Sequence, residues 1–206
     1  MLKEFLGETF AGVVGCDYHS AYRKFLHDID ASMQFCWAHL IRDVKFLTTL
    51  SDRVTRRFGE KLLASIKRLF RVWHQRDEML PDRWERAAER VKREVLKVAR
   101  RPPRRNEAEN IAERFRKHGD HYFRFLETDG IEPTNNAIEQ RFRFVVIDRK
   151  ITQATRGEAG RRWCARIWTV LATCAQQRRS VFEFLQGSIV AYLRNEVPPC
   201  LLPAPP

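Results

Sequence analysis

Apolar positions near the start of the chain predict two short strands and two helices. Residues 11–16 read AGVVGC and end at Asp17, a pattern typical of a buried strand that carries a carboxylate at its carboxyl end. Residues 18–27 have helical spacing, and residues 32–36 form a second strand-like run. Residues 37–50 repeat apolar side chains at three- and four-residue steps. The predicted order is therefore strand, helix, strand, helix.

The next stretch is predicted to be a helical insertion. Residues 51–126 are rich in charge, and their apolar side chains recur at helical spacing. Pro81 and the pair Pro102 and Pro103 interrupt the pattern, because proline lacks a backbone donor and restricts the residue before it. We expect three helices of about 20 residues each in this insertion.

Beyond the insertion the pattern predicts three more helices. Thr134 follows a turn and can cap a helix that runs through Glu139 to about Phe144. Residues 158–177 and 181–193 have the spacing of two further helices. The last segment, residues 194–206, holds five prolines and is predicted to be loose.

The net positive charge of the chain indicates which class of partner it binds. The 206 residues include 38 lysines and arginines against 26 acidic residues, which gives a formal net charge of +12. Such an excess attracts polyanions, so DNA or RNA is the first partner to test, although a basic balance also serves solubility alone.

The cysteines and the apolar runs indicate the cellular compartment and whether the chain associates with a membrane. The five cysteines are scattered and odd in number, unlike the dense even framework of a small secreted domain. No apolar run reaches the roughly 18 to 20 residues that span a bilayer. We expect a cytoplasmic protein without a membrane anchor.

Two acidic residues stand where an RNase H-like nuclease places metal ligands. Asp17 follows a predicted strand and Glu139 lies on a predicted helix, with the insertion between them. Carboxylate oxygens suit Mg²⁺ or Mn²⁺, and a pair of such ions promotes in-line displacement at phosphorus. Taken one at a time, an Asp at the end of a strand is more often a turn residue, and a Glu on a helix is more often a solvated surface residue. Spacing alone does not decide between these interpretations.

Four blocks of sequence resemble the insertion-sequence-66 family of transposases. Residues 132–150, EPTNNAIEQRFRFVVIDRK, resemble that family's segment around its catalytic Glu. Residues 16–22, CDYHSAY, resemble the segment of its second catalytic Asp, and residues 35–39, FCWAH, resemble its Cys-Trp-Ala-His segment. Residues 157–174 and 180–185 also fit, but Gly157 stands where members usually carry Ser, and Ala165 where they often carry Glu. The resemblance covers about residues 11–190 and is weakest in the insertion.

The resemblance implies a DDE transposase with an RNase H-like fold. According to this resemblance, residues 1–50 are a partial RNase H-like core that carries the second catalytic Asp. Residues 127–193 are the helical remainder of that core and carry the catalytic Glu. The family's first catalytic Asp lies on a strand ahead of residue 1. We therefore expect an α/β chain that is mostly helical, with few strands and the amino-terminal strands missing. Whether the chain is an enzyme stays uncertain, and alone we expect it to be inactive.

Residues near these acids carry further expectations. Cys36 and His39 have a spacing that suits zinc, but no second ligand pair is present; a buried Cys36 and a His39 that orients a carboxylate or phosphate are favoured. Asn135 and Asn136 either donate to DNA phosphate at a helix start or act as caps. Four basic residues beside Glu139 are candidate DNA contacts: Arg141, Arg143, Arg149 and Lys150. Arg156, Arg161 and Arg162 extend the same positive charge.

Aromatic residues and the competing functions complete the expectations. Trp163, Trp168, Phe182 and Phe184 have core-like spacing, which favours packing over base stacking. Three functions compete: a metal-dependent DNA strand-transfer domain, an inactive transposase remnant that only binds DNA, and a helical interaction module whose insertion pairs with another protomer in a homo-oligomer. The first is favoured for ancestry, and the second for the isolated chain.

Overall fold

The chain is mostly helical, with one small parallel sheet. The structure is a computed structural model, and it describes residues 7, 10–22, 24, 32–153 and 155–202. Strands β1 (Val13–Cys16) and β2 (Ser32–Phe35) pair in parallel, with Val13 opposite Ser32 and Cys16 opposite Phe35. Residues 20–22 and 24 of the predicted helix 18–27 are helical, and the rest of that helix lies outside the described residues.

Eight helices with defined bounds follow β2 in the described part of the chain. They are α1 (Trp37–Thr49), α2 (Arg53–His74), α3 (Pro81–Ala99), α4 (Asn106–His118), α5 (Asp120–Glu127), α6 (Asn136–Ile151), α7 (Glu158–Gln177) and α8 (Val181–Arg194). A short 3-10 helix, Arg76–Glu78, connects α2 to α3. In the described part of the chain, no helix is long and apolar enough to cross a membrane.

The residues divide into two compact units, Met1–Asn136 and Ala137–Pro206. In the first unit the apolar stripes of α1, α2 and α3 face one another, and α5 packs on β2. The ring of Trp37, at the start of α1, is fully buried among five other aromatic rings. The insertion thus shares one core with the strands.

Gly119 divides the third helix that the sequence predicted. Instead of one helix of about 20 residues, the chain forms α4 with 13 residues and α5 with 8. A Cβ at Gly119 would lie 2.6 Å from the carbonyl oxygen of Phe115, so only glycine allows the chain to turn this closely. The division lets Phe115 on α4 and Phe123 on α5 both reach the core.

The second unit differs from its prediction in two ways. Helix α6 begins at Asn136, two residues after the expected cap Thr134, and continues to Ile151 because neither glycine nor proline interrupts it after Phe144. The expectation that Trp163 and Phe182 pack in a core is wrong, since their exposed fractions are 65% and 74%.

Within this unit, α7 packs against α8. Residues 196–202 form neither helix nor strand, and the carbonyl oxygen of Cys200 accepts a hydrogen bond from Arg179 at 2.8 Å. The predicted looseness of the proline-rich tail stays a prediction.

Candidate functional site

The candidate site begins where the two strands end. Asp17 directly follows β1, and Cys36 directly follows β2 in the paired position, with its backbone N–H donating to the Cys16 carbonyl at 2.8 Å. Parallel strands place their carboxyl ends at one edge, so the side chains of Asp17 and Cys36 emerge from the same edge of the sheet. His39 lies in the first turn of α1, three residues after Cys36.

Asp17 is partly buried and has one local hydrogen bond. Its Oδ1 accepts from the backbone N–H of His19 at 3.2 Å, which is the turn geometry expected of an Asp that ends a strand. A carboxylate has about four lone-pair directions, so this bond leaves capacity for a cation. The chemistry of Asp17 therefore fits a divalent metal ligand, and the turn explains its orientation.

Cys16 and Cys36 are buried side chains rather than exposed thiols. Cys36 is 2% exposed, and its Sγ accepts from the backbone N–H of Asn135 at 3.3 Å. Burial raises the pKa of the Cys16 thiol to about 12, and the negative charge of Asp17 adds to the effect. Cys16 donates to the sulfur of Met33 at 3.3 Å and stays protonated at neutral pH, which makes it a poor zinc ligand. The predicted burial of Cys36 is confirmed.

The segment before α6 returns to this edge of the sheet. The carbonyl of Pro133 accepts from the backbone N–H of Trp37 at 3.0 Å. The Oδ1 of Asn135 lies 3.0 Å from where a Cβ on Gly15 would stand, so a larger residue at position 15 would press on Asn135. Residues 133–135 thus pack across the ends of β1 and β2, although the whole helical insertion separates them in sequence.

Asn135 and Asn136 stand at the start of α6. Asn135 immediately precedes the first helical residue, and Asn136 is that residue and is exposed. The amino end of a helix carries free N–H groups and a partial positive charge, which attract anions. Both predicted interpretations, cap and phosphate donor, remain compatible with this position.

Glu139 lies in the first turn of α6 and is exposed. A carboxylate there interacts favourably with the helix dipole, which is sufficient for a structural role. Counting along the helix, Arg143 and Lys150 are four and eleven residues after Glu139 and return to its face. Arg141 points to the opposite side of α6, by the same count.

All four predicted DNA-contacting cations on α6 are exposed. Among the ion pairs within the described residues, none involves Arg141, Arg143, Arg149 or Lys150. By contrast, Arg161 and Arg162 both approach Glu158, at 2.7 and 3.8 Å. Exposed pairs of this kind are weak, so a phosphate can replace the glutamate.

The comparison with known families decides what kind of protein this is. The sequence matches the family described as Transposase IS66 family over residues 1–162, which is most of its 206 residues. The chain belongs to this IS66 family of transposases. No curated protein and no solved structure matches it significantly.

Membership of the IS66 family confirms the resemblance found in the sequence. The family is a DDE transposase family, whose members generally use divalent metal ions and act on DNA. The match includes both Asp17 and Glu139. What sequence reasoning missed is the contact of Asn135 with Gly15 and Cys36, and the clue available was the glycine placed just before the end of an otherwise apolar strand.

Proposed function

We propose that this chain carries the second and third acidic metal ligands of a DDE transposase, Asp17 and Glu139, and serves in cleavage and strand transfer of transposon-end DNA. One observation supports this most: Asn135 packs beside Gly15, two residues before Asp17. Glu139 follows four residues later, in the first turn of α6. The helical insertion thus separates in sequence two segments, residues 13–17 and 133–135, that pack together.

The donor chemistry supports Mg²⁺ or Mn²⁺ at Asp17 and Glu139. Both are carboxylates, the hard oxygen ligands that these ions prefer. Such ions, when bound, activate a water or a DNA 3′-hydroxyl and stabilise the leaving oxygen during displacement at phosphorus.

Neighbouring residues position the DNA in this proposal. Asn135 and Asn136 hold a phosphate at the start of α6, where helix N–H groups add to the attraction. His39, one turn into α1, orients a carboxylate or a phosphate. Arg143 and Lys150 neutralise phosphates on the Glu139 face.

Arg149 would neutralise a phosphate beside that face, and Arg141 one on the opposite side of α6. The exposure of all four α6 cations, without acidic partners in the described part of the chain, supports these roles. Phosphate contacts of this kind position the DNA and carry no sequence information.

We also propose that β1 and β2 are two strands of a partial RNase H-like sheet. Their parallel pairing, with helical residues in the crossover, is the βαβ arrangement that such a sheet requires. All five cysteines are free, which supports a reducing cytoplasm as the compartment.

The test is a nicking assay on duplex DNA that carries the ends of the mobile element, with Mg²⁺ or Mn²⁺ present and with the chain extended by the family's amino-terminal segment that carries the first catalytic Asp. We expect nicking that Asp17→Asn and Glu139→Gln each abolish. Glu158→Gln, which removes an exposed first-turn carboxylate from α7, is the matched control and should leave nicking intact. Nicking that survives in both site variants would overturn the proposal.

A DNA-binding remnant is the second candidate, and it is favoured for the isolated chain by the exposed basic residues of α6, which form no ion pair with the residues that the structure describes. Its signature is salt-sensitive, sequence-tolerant binding without nicking in the same assay. If every variant binds DNA and the extended chain nicks none, this second function replaces the first.

A further inference from the structure

The helical insertion contains a basic cleft at one end. Helices α2 and α3 pack against each other, and the first half of α2 lies beside the last turn of α3. Five cations line the cleft between them, and no acidic side chain lines it: Arg53, Arg57, Lys61, Lys97 and Arg101. We call this the α2–α3 basic cleft. It belongs entirely to the first unit.

The five cations are exposed and lack acidic partners. No ion pair joins any of them to an acid in the residues that the structure describes. Some other cations of the same two helices are paired, such as Arg68 with Glu94 at 3.1 Å and Lys92 with Glu127 at 2.7 Å. All five cations of the cleft are exposed and therefore accessible to an anionic partner.

The start of α2 breaks the usual electrostatic rule for helices. The amino end of a helix favours acidic residues in its first turn, yet α2 has none there and carries Arg53 and Arg56 instead. Asp52 precedes the helix and is already engaged as a cap, accepting from the Thr55 N–H at 2.8 Å. The Asp52 carboxylate complements the helix dipole, and an external anion would offset the positive charge of Arg53 and Arg56 at the same end.

The spacing of the cations fits a linear anion. Arg53, Arg57 and Lys61 recur every four residues on one face of α2 and extend over about 12 Å. Each DNA strand advances about 3.4 Å of helix axis per phosphate, so the row matches three to four phosphates of one strand. Lys97 and Arg101 on α3 add a parallel edge of charge.

The rest of the lining indicates how a nucleic acid would bind. Phe58 is only 7% exposed, so it offers no platform for stacking an unpaired base. The remaining lining residues are apolar: Val54, Val98, Pro102 and Pro103. The charged groups of the cleft are thus all cations, which suits the phosphate backbone of a duplex.

We propose that the α2–α3 basic cleft binds the phosphate backbone of duplex DNA, as a second contact built from residues other than those around Glu139. This rests on the proposed function in so far as the chain acts on DNA. It assigns the insertion a part in holding DNA, in addition to supporting the core beneath the strand ends.

The experiment measures binding of the whole chain to a labelled duplex of scrambled sequence between about 50 and about 200 mM salt. The test variant combines Arg57→Gln, Lys97→Gln and Arg101→Gln. The control combines Arg83→Gln, Arg86→Gln and Arg90→Gln, three exposed arginines in the first ten residues of α3, and removes the same charge.

We expect the test variant to lower the slope of log affinity against log salt by about 2 to 3, with affinity falling roughly tenfold to hundredfold. The control should change that slope by less than about 1. Equal changes in the two variants, or none in the test variant, would overturn the proposal. Loss of binding to phosphatidylserine vesicles with unchanged duplex binding would overturn it in favour of a membrane surface.

Two further results distinguish a lost DNA contact in the cleft from a loss of folding and from an effect at Glu139. Removing a cation from the first turns of α2 relieves repulsion with the helix dipole, so the melting temperature of Arg57→Gln should hold or rise. Loss of duplex binding together with a lower melting temperature would contradict the assignment. The effect of Glu139→Gln on nicking does not depend on the cleft, so a failure of either proposal is recognised without the other.

Discussion

Gln34 is a fully buried polar residue whose amide joins β2 to α5. Its Nε2 donates to the carbonyls of Phe35 at 2.8 Å and Tyr122 at 3.2 Å, and its Oε1 accepts from the backbone N–H of Phe125 at 2.9 Å. The indole N–H of Trp37 donates to the same Tyr122 carbonyl. The strand that ends beside the candidate site is therefore fixed to the insertion by hydrogen bonds in an apolar core.

The change Gln34→Met tests that connection. Methionine fills a similar volume but makes none of the three hydrogen bonds of the Gln34 amide, so we expect the free energy of unfolding in urea to fall by about 1 to 3 kcal/mol. Gln75→Met, at an exposed position after α2, is the control and should be nearly neutral. A change below about 0.5 kcal/mol for Gln34→Met would mean that the network contributes little.

At the scale of single elements, helix α6 arranges its charges by face. Glu139, Arg143 and Lys150 share one side, while Arg141 lies on the other. None of the helix's residues is buried. The proposed function therefore predicts different roles for Arg141 and Arg143, which are only two residues apart and are both exposed.

Arg143→Gln and Arg141→Gln form a matched pair on α6. If DNA lies along the Glu139 face, Arg143→Gln should lower the salt slope of duplex binding by about 1, and Arg141→Gln by clearly less. Binding titrations over salt measure both. Equal slopes would show that α6 binds DNA without a preferred face.

Helix α5 gives the fold a dependence on pH. Burial lowers the pKa of the His121 imidazole, the charge of Arg124 lowers it further, and Asp120 acts in the opposite direction. Because the unfolded chain binds this proton more readily, the contribution to stability is complete above about pH 6.5 and is lost as the pH falls below it.

The urea midpoint of the unaltered chain should therefore drop between about pH 7.5 and about pH 5, and by less in His121→Phe. Phenylalanine keeps an aromatic ring beside Phe35, which lies 5.6 Å from the imidazole between ring centroids. His74→Phe, at an exposed position, should behave like the unaltered chain. An unchanged pH dependence in His121→Phe would exclude His121 as the source.

Element boundaries were predictable where local chemistry sets them. Both strands and the breaks at Pro81 and Pro102 follow from apolar runs and from proline's missing donor. The division at Gly119 was not predictable, since it depends on a close approach to the Phe115 carbonyl. Nor was the exposure of Trp163, because helical periodicity does not report whether a partner surface covers the apolar face.

The same limit applies to the candidate site. The sequence identified Asp17 and Glu139 by position and resemblance, but the packing of Asn135 against Gly15 and Cys36 is a tertiary contact that spans the insertion. Local patterns carry no information about such contacts. Whether Asp17 and Glu139 act together stays a proposal.

At the scale of the whole molecule, the net positive charge and the two site carboxylates have different proposed roles. A formal net charge of +12 attracts DNA from a distance and depends on salt. Two carboxylates, by contrast, must converge on divalent ions, and their effect depends on geometry. Both expectations agree with membership of the IS66 family. The central claim is that the two carboxylates converge on divalent ions.

The most direct test is titration of Mn²⁺ into the whole chain, followed by electron paramagnetic resonance. If Asp17 and Glu139 share a site, Asp17→Asn and Glu139→Gln each weaken Mn²⁺ binding, and the double variant is little weaker than either. The control Glu158→Gln should bind as the unaltered chain does. Losses that add in the double variant, or no loss in either single variant, would contradict a shared metal site.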